Sequence, residues 1–230
     1  MPGVRWTMPA EVAIYQLHLG LREVEPTVWR RLLVRSDTSL AQLHFIVQAA
    51  MGWEDVHLHQ FRIHGRLFGM YKDGGISFRD DPWQVKLSNF KLRPGERFVY
   101  EYDFGDFWQH DLRLEKILPL DPKKRLPICV AGECACPPED CGGPEAYKAV
   151  CDERWGDEHL DVMHTVLVAF KKLADGEMTR QEFREDEDLQ DAMERVVWWE
   201  KYNPERFDRK AVNRRLREVE REVEGASDRG

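Results

Sequence analysis

The sequence predicts an α+β protein in which a mixed, mostly antiparallel sheet carries one packed helix. Apolar and polar residues alternate in several segments of the first half, in the order ββαβ…ββ of a β-grasp-like arrangement. A segment rich in Cys, Pro and Gly follows, and the chain from Pro144 onward shows the apolar spacing of helices. We therefore expect a β-rich core, a cysteine-rich loop and a helical C-terminal part.

Local signals place the elements of the β-rich half. Strands are predicted at 12–21, 28–34, 57–69, 97–104 and 107–118. Glu25-Pro26 is the turn of the first hairpin, and Gly105-Asp106 is the turn of the last. The helix is predicted over 39–51, because Ser36-Asp-Thr-Ser39 offers N-cap residues and Gly52 stands where glycine often ends a helix.

The second half is predicted to be helical after a loop. The helices are expected at 144–153, 157–175, 186–201 and 208–223. We interpret residues 1–230 as one domain, which is a reasonable size for a single core. Its parts are a β-rich core over 10–120, the cysteine-rich loop over 121–143 and a packed helical part over 144–225.

Composition restricts the location and the class of partner. No run approaches the ~20 apolar residues of a membrane-spanning helix, and the first ten residues hold no apolar signal core. We therefore expect a cytoplasmic protein without a membrane partner. The 42 acidic and 34 basic residues give a formal charge of −8, which disfavours non-specific nucleic-acid binding.

The charge is unevenly distributed along the chain. Residues 1–125 hold 18 Lys/Arg and 16 Asp/Glu, a net charge of +2, whereas residues 126–230 hold 16 and 26, a net charge of −10. A protein or nucleic-acid partner is therefore expected to bind through residues 1–125, where Arg30, Arg31 and Arg35 are candidates for a basic face.

All five cysteines lie between positions 129 and 151. The number is odd and the expected compartment is reducing, so metal binding or plain burial is favoured over disulfides. Cys129, Cys134, Cys136 and Cys141 lie on a loop that could wrap a Zn²⁺ ion, with His110 as a candidate nitrogen ligand. The alternative is a reduced loop whose thiols pack as small hydrophobic groups.

Acidic residues beside these cysteines and on the last hairpin are candidates for catalysis. Glu139 and Asp140 lie inside the loop, and either catalysis, metal binding or hydrogen bonds to local amides would explain them. Asp103 and Asp106 flank a turn, and His110 follows on the return strand. These three could hold a metal or a general base, or the two aspartates could simply satisfy turn amides.

Histidines form a third candidate group. His57 and His59 are two residues apart and would share one face of a strand, and His44 lies on the predicted helix. The three could form a nitrogen site if the fold brings them together. Separate buried or exposed histidines are the alternative.

Common catalytic and nucleotide-binding motifs are absent from the sequence. There is no G-x-G-x-x-G, Walker A, G-x-S-x-G or H-E-x-x-H pattern. The sequence therefore does not indicate a nucleotide-binding enzyme, a serine hydrolase of that type or a zincin.

Several motifs together resemble the pRiA plasmid open-reading-frame-three-like family. They are Val28-Trp-Arg-Arg-Leu-Leu-Val34, Leu40-x-x-Leu-His44, Met51-Gly-Trp53, His57-Leu-His59-x-Phe61, Tyr102-Asp-Phe-Gly-Asp-x-Trp-x-His110, Cys129-x-Ala-Gly-x-x-x-Ala-Cys136-Pro-Pro-Glu-Asp-Cys141-Gly-Gly-Pro144, Phe207-Asp208 and Asn213-x-x-Leu216. The resemblance spans roughly residues 12–216 and implies occurrence on plasmids and mobile elements. It implies little about activity, although some members are described as resolvases.

The residues do not fit resolvase chemistry. A serine recombinase needs a nucleophilic serine in an arginine-rich site, and none of the five serines has such a setting. Cys134 is an addition to the family pattern, so Cys129, Cys136, Cys141 and His110 are the preferred metal ligands.

Two functions are consistent with these observations. The favoured hypothesis is a non-enzymatic binding or accessory protein of mobile elements, with Zn²⁺ as a candidate structural ion. The alternative is a metal-dependent hydrolase whose site contains Asp103, Asp106, His110, Glu139 and Asp140.

Overall fold

The computed structural model describes residues 11–70 and 78–227, which contain a seven-stranded sheet. The strands are β1 (Ala13–Leu21), β2 (Trp29–Arg35), β3 (His59–Ile63), β4 (Arg66–Phe68), β5 (Arg97–Tyr102), β6 (Trp108–Pro119) and β7 (Ile128–Glu133). Their order is β4-β3-β5-β6-β1-β2-β7. The α+β class is confirmed, and the predicted mixed sheet is antiparallel in every pairing of the described strands.

The structure differs from the sequence-based prediction of the strands in two places. The single strand expected over 57–69 is the hairpin β3–β4, because His64 and Gly65 both have positive φ, 49° and 76°. This conformation suits a tight hairpin turn. The segment 121–143, expected as loop, contains β7, which pairs with β2 at the sheet edge. Long-range pairing forms this strand, and the Asn213 side chain bonds both the N–H and the C=O of Cys129 on its other side.

The first helix, α1 (Leu40–Met51), begins one residue after the predicted start and ends at the predicted residue. Ser39 and Gln42 form a capping box, and Gly52 has a φ of 99° that ends the helix. Ten of its twelve residues are buried, because the helix lies between the sheet and the C-terminal helix. His44 is therefore held inside the core.

Five further α-helices follow in the described part of the chain. They are α2 (Gly143–Trp155), α3 (Asp157–Asp175), α4 (Arg180–Glu185), α5 (Glu187–Lys201) and α6 (Arg209–Ser227). The short helix α4 was not predicted, although Thr179 and Glu182 form its capping box. No helix of the described residues is long and apolar enough to cross a membrane.

The helices divide between two groups of buried residues. Leu216 of α6 is fully buried in the main core, together with α1 and the covered face of the sheet. Helices α3 and α5 bury a smaller set around Val162, Leu189 and Trp199.

The three arginines of the expected basic face have separate environments. Arg30 is 2% exposed and donates to the main-chain oxygens of Ala50, Trp29 and Glu133. Arg35 pairs with Asp37. Arg31 stands on the open face of the sheet, because strand alternation turns its neighbour Arg30 into the core.

Candidate functional site

A histidine and two aspartates meet near the end of β5. The Nε2 atom of His57 lies 2.8 Å from Oδ1 of Asp140 and 3.6 Å from Oδ2 of Asp103. One ligand atom from each residue lies within 4.8 Å of the other two. The side chains of His57 and Asp140 are 29% and 70% exposed, so the cluster is open to solvent.

Asp103 is positioned by the turn between β5 and β6. Its φ is 54°, and its Oδ1 accepts from the main-chain N–H groups of Gly105 (3.0 Å) and Asp106 (3.3 Å). The expectation that both aspartates satisfy turn amides is confirmed for Asp103, whereas Asp106 accepts from the N–H of Gly142 in the cysteine-rich loop. The Oδ2 atom of Asp103 faces His57, so the same carboxylate also takes part in the cluster.

Tyr102 and Glu139 fix the main chain that carries His57. The Tyr102 hydroxyl accepts from the N–H groups of Val56 and His57 and donates to Glu139. Glu139 also accepts from the N–H of Glu54 at 2.8 Å. Burial, and then the bond to Glu139, raise the pKa of Tyr102 well above its ordinary value. Glu139 is therefore an anchor of the loop, outside the His57 cluster.

The cysteine-rich loop brings Asp140 to this position. Asp106 accepts from the N–H of Gly142 at 3.0 Å, which ties the loop to the β5–β6 turn. Gly143 has a φ of 81°, and a Cβ atom there would lie 2.6 Å from the main-chain oxygen of Asp106. Close backbone contact at Gly143 therefore sets the distance between Asp140 and the turn.

We expect Gly143→Ala to destabilise the protein by about 2 kcal/mol, since it adds a backbone clash to the strain of a left-handed alanine. Gly65→Ala is the matched control, because Gly65 has a similar φ of 76° but no atom near an added Cβ. Urea unfolding of both variants checks the difference. Equal losses of stability would mean that the contact with Asp106 is unimportant.

Negative charge dominates the surroundings of the cluster. Asp103, Asp106, Glu139 and Asp140 make no ion pair with Lys or Arg anywhere in residues 11–70 and 78–227. Hydrogen bonds and the contacts with His57 are thus the polar interactions of these carboxylates among the described residues. A bound cation would relieve the repulsion among these carboxylates.

A second group, His44, Asp55 and His59, lies inside the protein. Four hydrogen bonds link His44, Asp55, Gln48 and Tyr100 into a ring: Gln48 Nε2 to Tyr100, Tyr100 to His44 Nδ1, His44 Nε2 to Asp55, and the Asp55 N–H to Gln48 Oε1. Every bond is satisfied when Tyr100 donates to His44 and His44 donates to Asp55. The ring holds the loop that leads to His57.

The geometry of the two imidazoles disfavours a metal in this second group. The rings of His44 and His59 are stacked, with centroids 3.5 Å apart and planes within 9° of parallel. A ligating nitrogen directs its lone pair in the ring plane at ~2.0–2.1 Å from zinc. One ion cannot lie in two parallel planes separated by this spacing. We assign the group to the polar network of the core.

The structure separates the histidines that the sequence grouped. His44 and His59 stack in the core, whereas His57 joins Asp103 and Asp140. The three-nitrogen site is therefore not formed. In the sequence, Asp103, Asp140 and His57 belong to three different motifs, so their proximity was not predicted. Asp55 was not predicted as a member of any candidate site.

The preferred thiol ligands and His110 do not come together. Neither group of candidate ligands in the described residues contains a cysteine or His110. Cys129 is buried in β7 and donates to the oxygen of Ala131. Burial raises the pKa of the Cys136 thiol, and that of Cys141 to about 11, so both thiols are protonated at neutral pH.

The loop nevertheless connects the two halves of the protein through its main chain. Trp53 donates to the oxygen of Pro137, and Tyr202 donates to the oxygen of Cys136. The N–H of Ala135 bonds the oxygen of Pro204. These bonds hold the loop between the α1–β3 connection and the segment before α6.

Fold and site together define an α+β protein with an open histidine–carboxylate cluster beside a cysteine-rich loop. The model of the plasmid pRiA4b ORF-3-like protein family matches residues 13–172. The chain belongs to this family, which confirms the resemblance seen in the motifs.

Two similar proteins have no assigned function. The uncharacterized protein y4hQ of Sinorhizobium fredii is 37% identical over 145 residues, which cover 61% of this chain and 72% of that protein. The crystal structure of MM3350 from Methanosarcina mazei, a protein of unknown function, has a TM-score of 0.65 and 32% identity. The match covers 87% of this chain and 98% of that one.

Proposed function

We propose that this protein is a non-enzymatic accessory protein of mobile elements that binds a divalent transition-metal ion through His57, Asp103 and Asp140. The observation that carries the metal site is the convergence of one imidazole nitrogen and two carboxylate oxygens within 4.8 Å. Imidazole and carboxylate together suit ions such as Zn²⁺ and Mn²⁺.

The geometry of the ligands supports the proposal. His57 and Asp140 are partly exposed, so an ion can reach them, and Asp103 is held firmly by its turn. Binding would need only a small separation of His57 from Asp140, since their 2.8 Å hydrogen bond would be replaced by two bonds to the ion. This site differs from the thiol site expected from the sequence.

The association with mobile elements rests on the family. Its description refers to a reading frame of a plasmid. An accessory role fits the lack of a common catalytic motif in the sequence.

Titration of metal-free protein with Mn²⁺ by calorimetry tests the metal site, because Mn²⁺ prefers oxygen and imidazole ligands to thiols. We expect one ion per chain and a loss of affinity of about tenfold or more in His57→Ala and Asp140→Asn. His64→Ala, which changes an exposed histidine of the β3–β4 turn, is the control and should bind normally.

Cys136→Ser tests whether a thiol of the cysteine-rich loop contributes to metal binding. We expect this variant to bind Mn²⁺ like the original chain. Loss of binding in Cys136→Ser, or no binding by the original chain, would refute the proposed site.

A metal-dependent hydrolase is the second candidate, favoured by one observation. Three protein ligands would leave a coordination position open for water, as in catalytic rather than structural sites. Asp106 lies beside the cluster, although its Oδ2 is used by Gly142. Metal-dependent hydrolysis of an ester or phosphoester that disappears in Asp140→Asn would favour this candidate over the accessory protein.

A further inference from the structure

The open face of the sheet carries a row of basic side chains. Strand register places Arg97 opposite Arg113, Arg113 opposite His18, and His18 opposite Arg31. Directly opposed residues of an antiparallel sheet project from the same face. The four residues therefore form one line across β5, β6, β1 and β2, which we call the arginine row.

Like charges directly opposite each other destabilise a sheet. Glu115 binds Arg31 at 2.6 Å and Arg113 at 3.3 Å. Arg97 is exposed and makes no ion pair among the residues that the structure describes. The three arginines of the row thus carry more positive charge than the one carboxylate that forms ion pairs with them neutralises.

The carboxylates on this face of the sheet already accept hydrogen bonds from other side chains. Glu101 accepts from Gln60, Arg62 and Gln109, and Asp111 accepts two bonds from Arg22. Glu115 receives four bonds in total, from Gln16, Arg31 and Arg113. An approaching anion would therefore meet the remaining guanidinium donors before any free carboxylate oxygen.

The titration of His18 reflects these neighbours. Its pKa is lowered, first by burial and then by Arg113, Arg31 and Arg97, against the opposing effect of Glu115. The imidazole is therefore neutral at pH 7 and adds no charge to the row. Trp29 stacks on His18 with ring centroids 5.4 Å apart and lies under Arg31. An aromatic side chain thus borders the guanidinium groups.

We propose that the arginine row binds the sugar–phosphate backbone of single-stranded nucleic acid. Neighbouring strands are ~4.8 Å apart, so a row across four strands is ~14 Å long and matches a few nucleotides. A flat sheet face suits a single strand, whereas duplex DNA is usually read by a helix or ribbon inside a groove. The ligand class is a polyanion with regularly spaced phosphates.

The overall charge determines how this binding behaves. The chain carries −8 in total: residues 1–125, which contain the four strands of the row, sum to +2, and residues 126–230 sum to −10. Binding is therefore moderate and is weakened by salt, because a small number of phosphate contacts supplies the attraction.

Fluorescence anisotropy with a labelled 20-nucleotide oligo-dT tests the inference at 50 and 200 mM NaCl, with EDTA present to exclude the metal site. We expect the double change Arg97→Ala/Arg113→Ala to reduce affinity by about tenfold or more at 50 mM NaCl. The slope of log K against log salt should fall by ~1.4, since each phosphate contact on a single strand contributes ~0.7.

Two matched variants separate charge at this row from charge in general. Arg97→Lys/Arg113→Lys keeps both charges and should bind within about threefold of the original. Arg180→Ala/Arg217→Ala removes two exposed arginines of α4 and α6 and should change binding little. Equal losses in the two alanine pairs would overturn the assignment.

Three binding results would contradict the proposal. No binding to oligo-dT at 50 mM NaCl, tighter binding to the corresponding duplex, or tighter binding to poly-glutamate would each overturn the proposal. The metal site is tested separately with Mn²⁺, so either proposal can fail while the other stands.

Discussion

Lowering the pH from 7 to 4 should reduce the free energy of unfolding by roughly 3 kcal/mol through His110 alone. The side chain is fully buried, and burial lowers its pKa from 6.5 to about 3. In the unfolded chain the imidazole is exposed and has its ordinary pKa. Between pH 6.5 and about 3 the unfolded state therefore binds the extra proton, so stability falls as the pH falls through this window.

The surroundings of His110 explain why protonation is unfavourable. Its ring packs against Trp53 and Tyr100, with centroids 5.2 and 5.4 Å apart. Neither ring nitrogen makes a hydrogen bond of good geometry in the described part of the chain. A charged imidazole would thus be buried among aromatic rings without a counter-ion.

Urea unfolding of the original chain and His110→Leu between pH 4 and 7 measures the effect. We expect the stability of His110→Leu to fall by roughly 3 kcal/mol less than that of the original chain between pH 7 and 4, because the leucine cannot take up a proton. The exposed His64→Ala is the control and should follow the original curve. Proton NMR titration of His110 in the unmodified protein gives an independent reading, and a folded-state pKa near 6.5 would contradict the prediction.

Arg30→Ala should destabilise the protein by about 4 kcal/mol. The guanidinium donates to three main-chain oxygens, at 2.8–3.0 Å, and lies 4.5 Å from the centre of the Phe207 ring. The oxygen of Ala50, which is buried, would lose its donor at a cost of about 1–3 kcal/mol, the two part-buried oxygens would add smaller losses, and the truncated side chain leaves a cavity. Removing the buried charge offsets part of this loss, because burial already lowers the pKa of Arg30.

Two comparisons make the Arg30 prediction specific. Arg31→Ala changes the next residue, whose side chain faces solvent, and should cost under about 1 kcal/mol. Arg30→Lys should lie between the two, because an ammonium group cannot reach all three oxygens in the same geometry. Urea unfolding ranks the variants. A loss in Arg30→Ala no greater than that in Arg31→Ala would show that the three bonds contribute little.

Local sequence signals predicted much of the fold. The capping residue Ser39 and the terminal Gly52 bounded α1 correctly, and the helix expected over 157–175 is α3. Strand β7 was not predicted, because it depends on pairing with β2, about 100 residues earlier in the chain. Helix α4 was not predicted, because it has only six residues, although the residues of its capping box, Thr179 and Glu182, are present in the sequence.

The residues of the candidate site were predicted in separate groups. Asp103 and Asp140 were both candidates, and His57 was considered with other histidines. The bond between His57 and Asp140 joins residues 83 positions apart, so no spacing in the sequence indicates it. The sequence also paired His110 with the thiols, whereas strand alternation on β6 turns His110 into the core.

The sequence by itself determined the α+β class, the limits of most elements, the family and the residue types available for a site. These depend on periodicity, capping and motifs, which are properties of neighbouring residues. Tertiary structure alone decided that His57 joins Asp103 and Asp140, that His44 and His59 stack apart from them, and that Arg31, Arg97 and Arg113 form one row. These groupings depend on strand register and on how the loop packs on the β5–β6 turn, which local residue preferences do not specify.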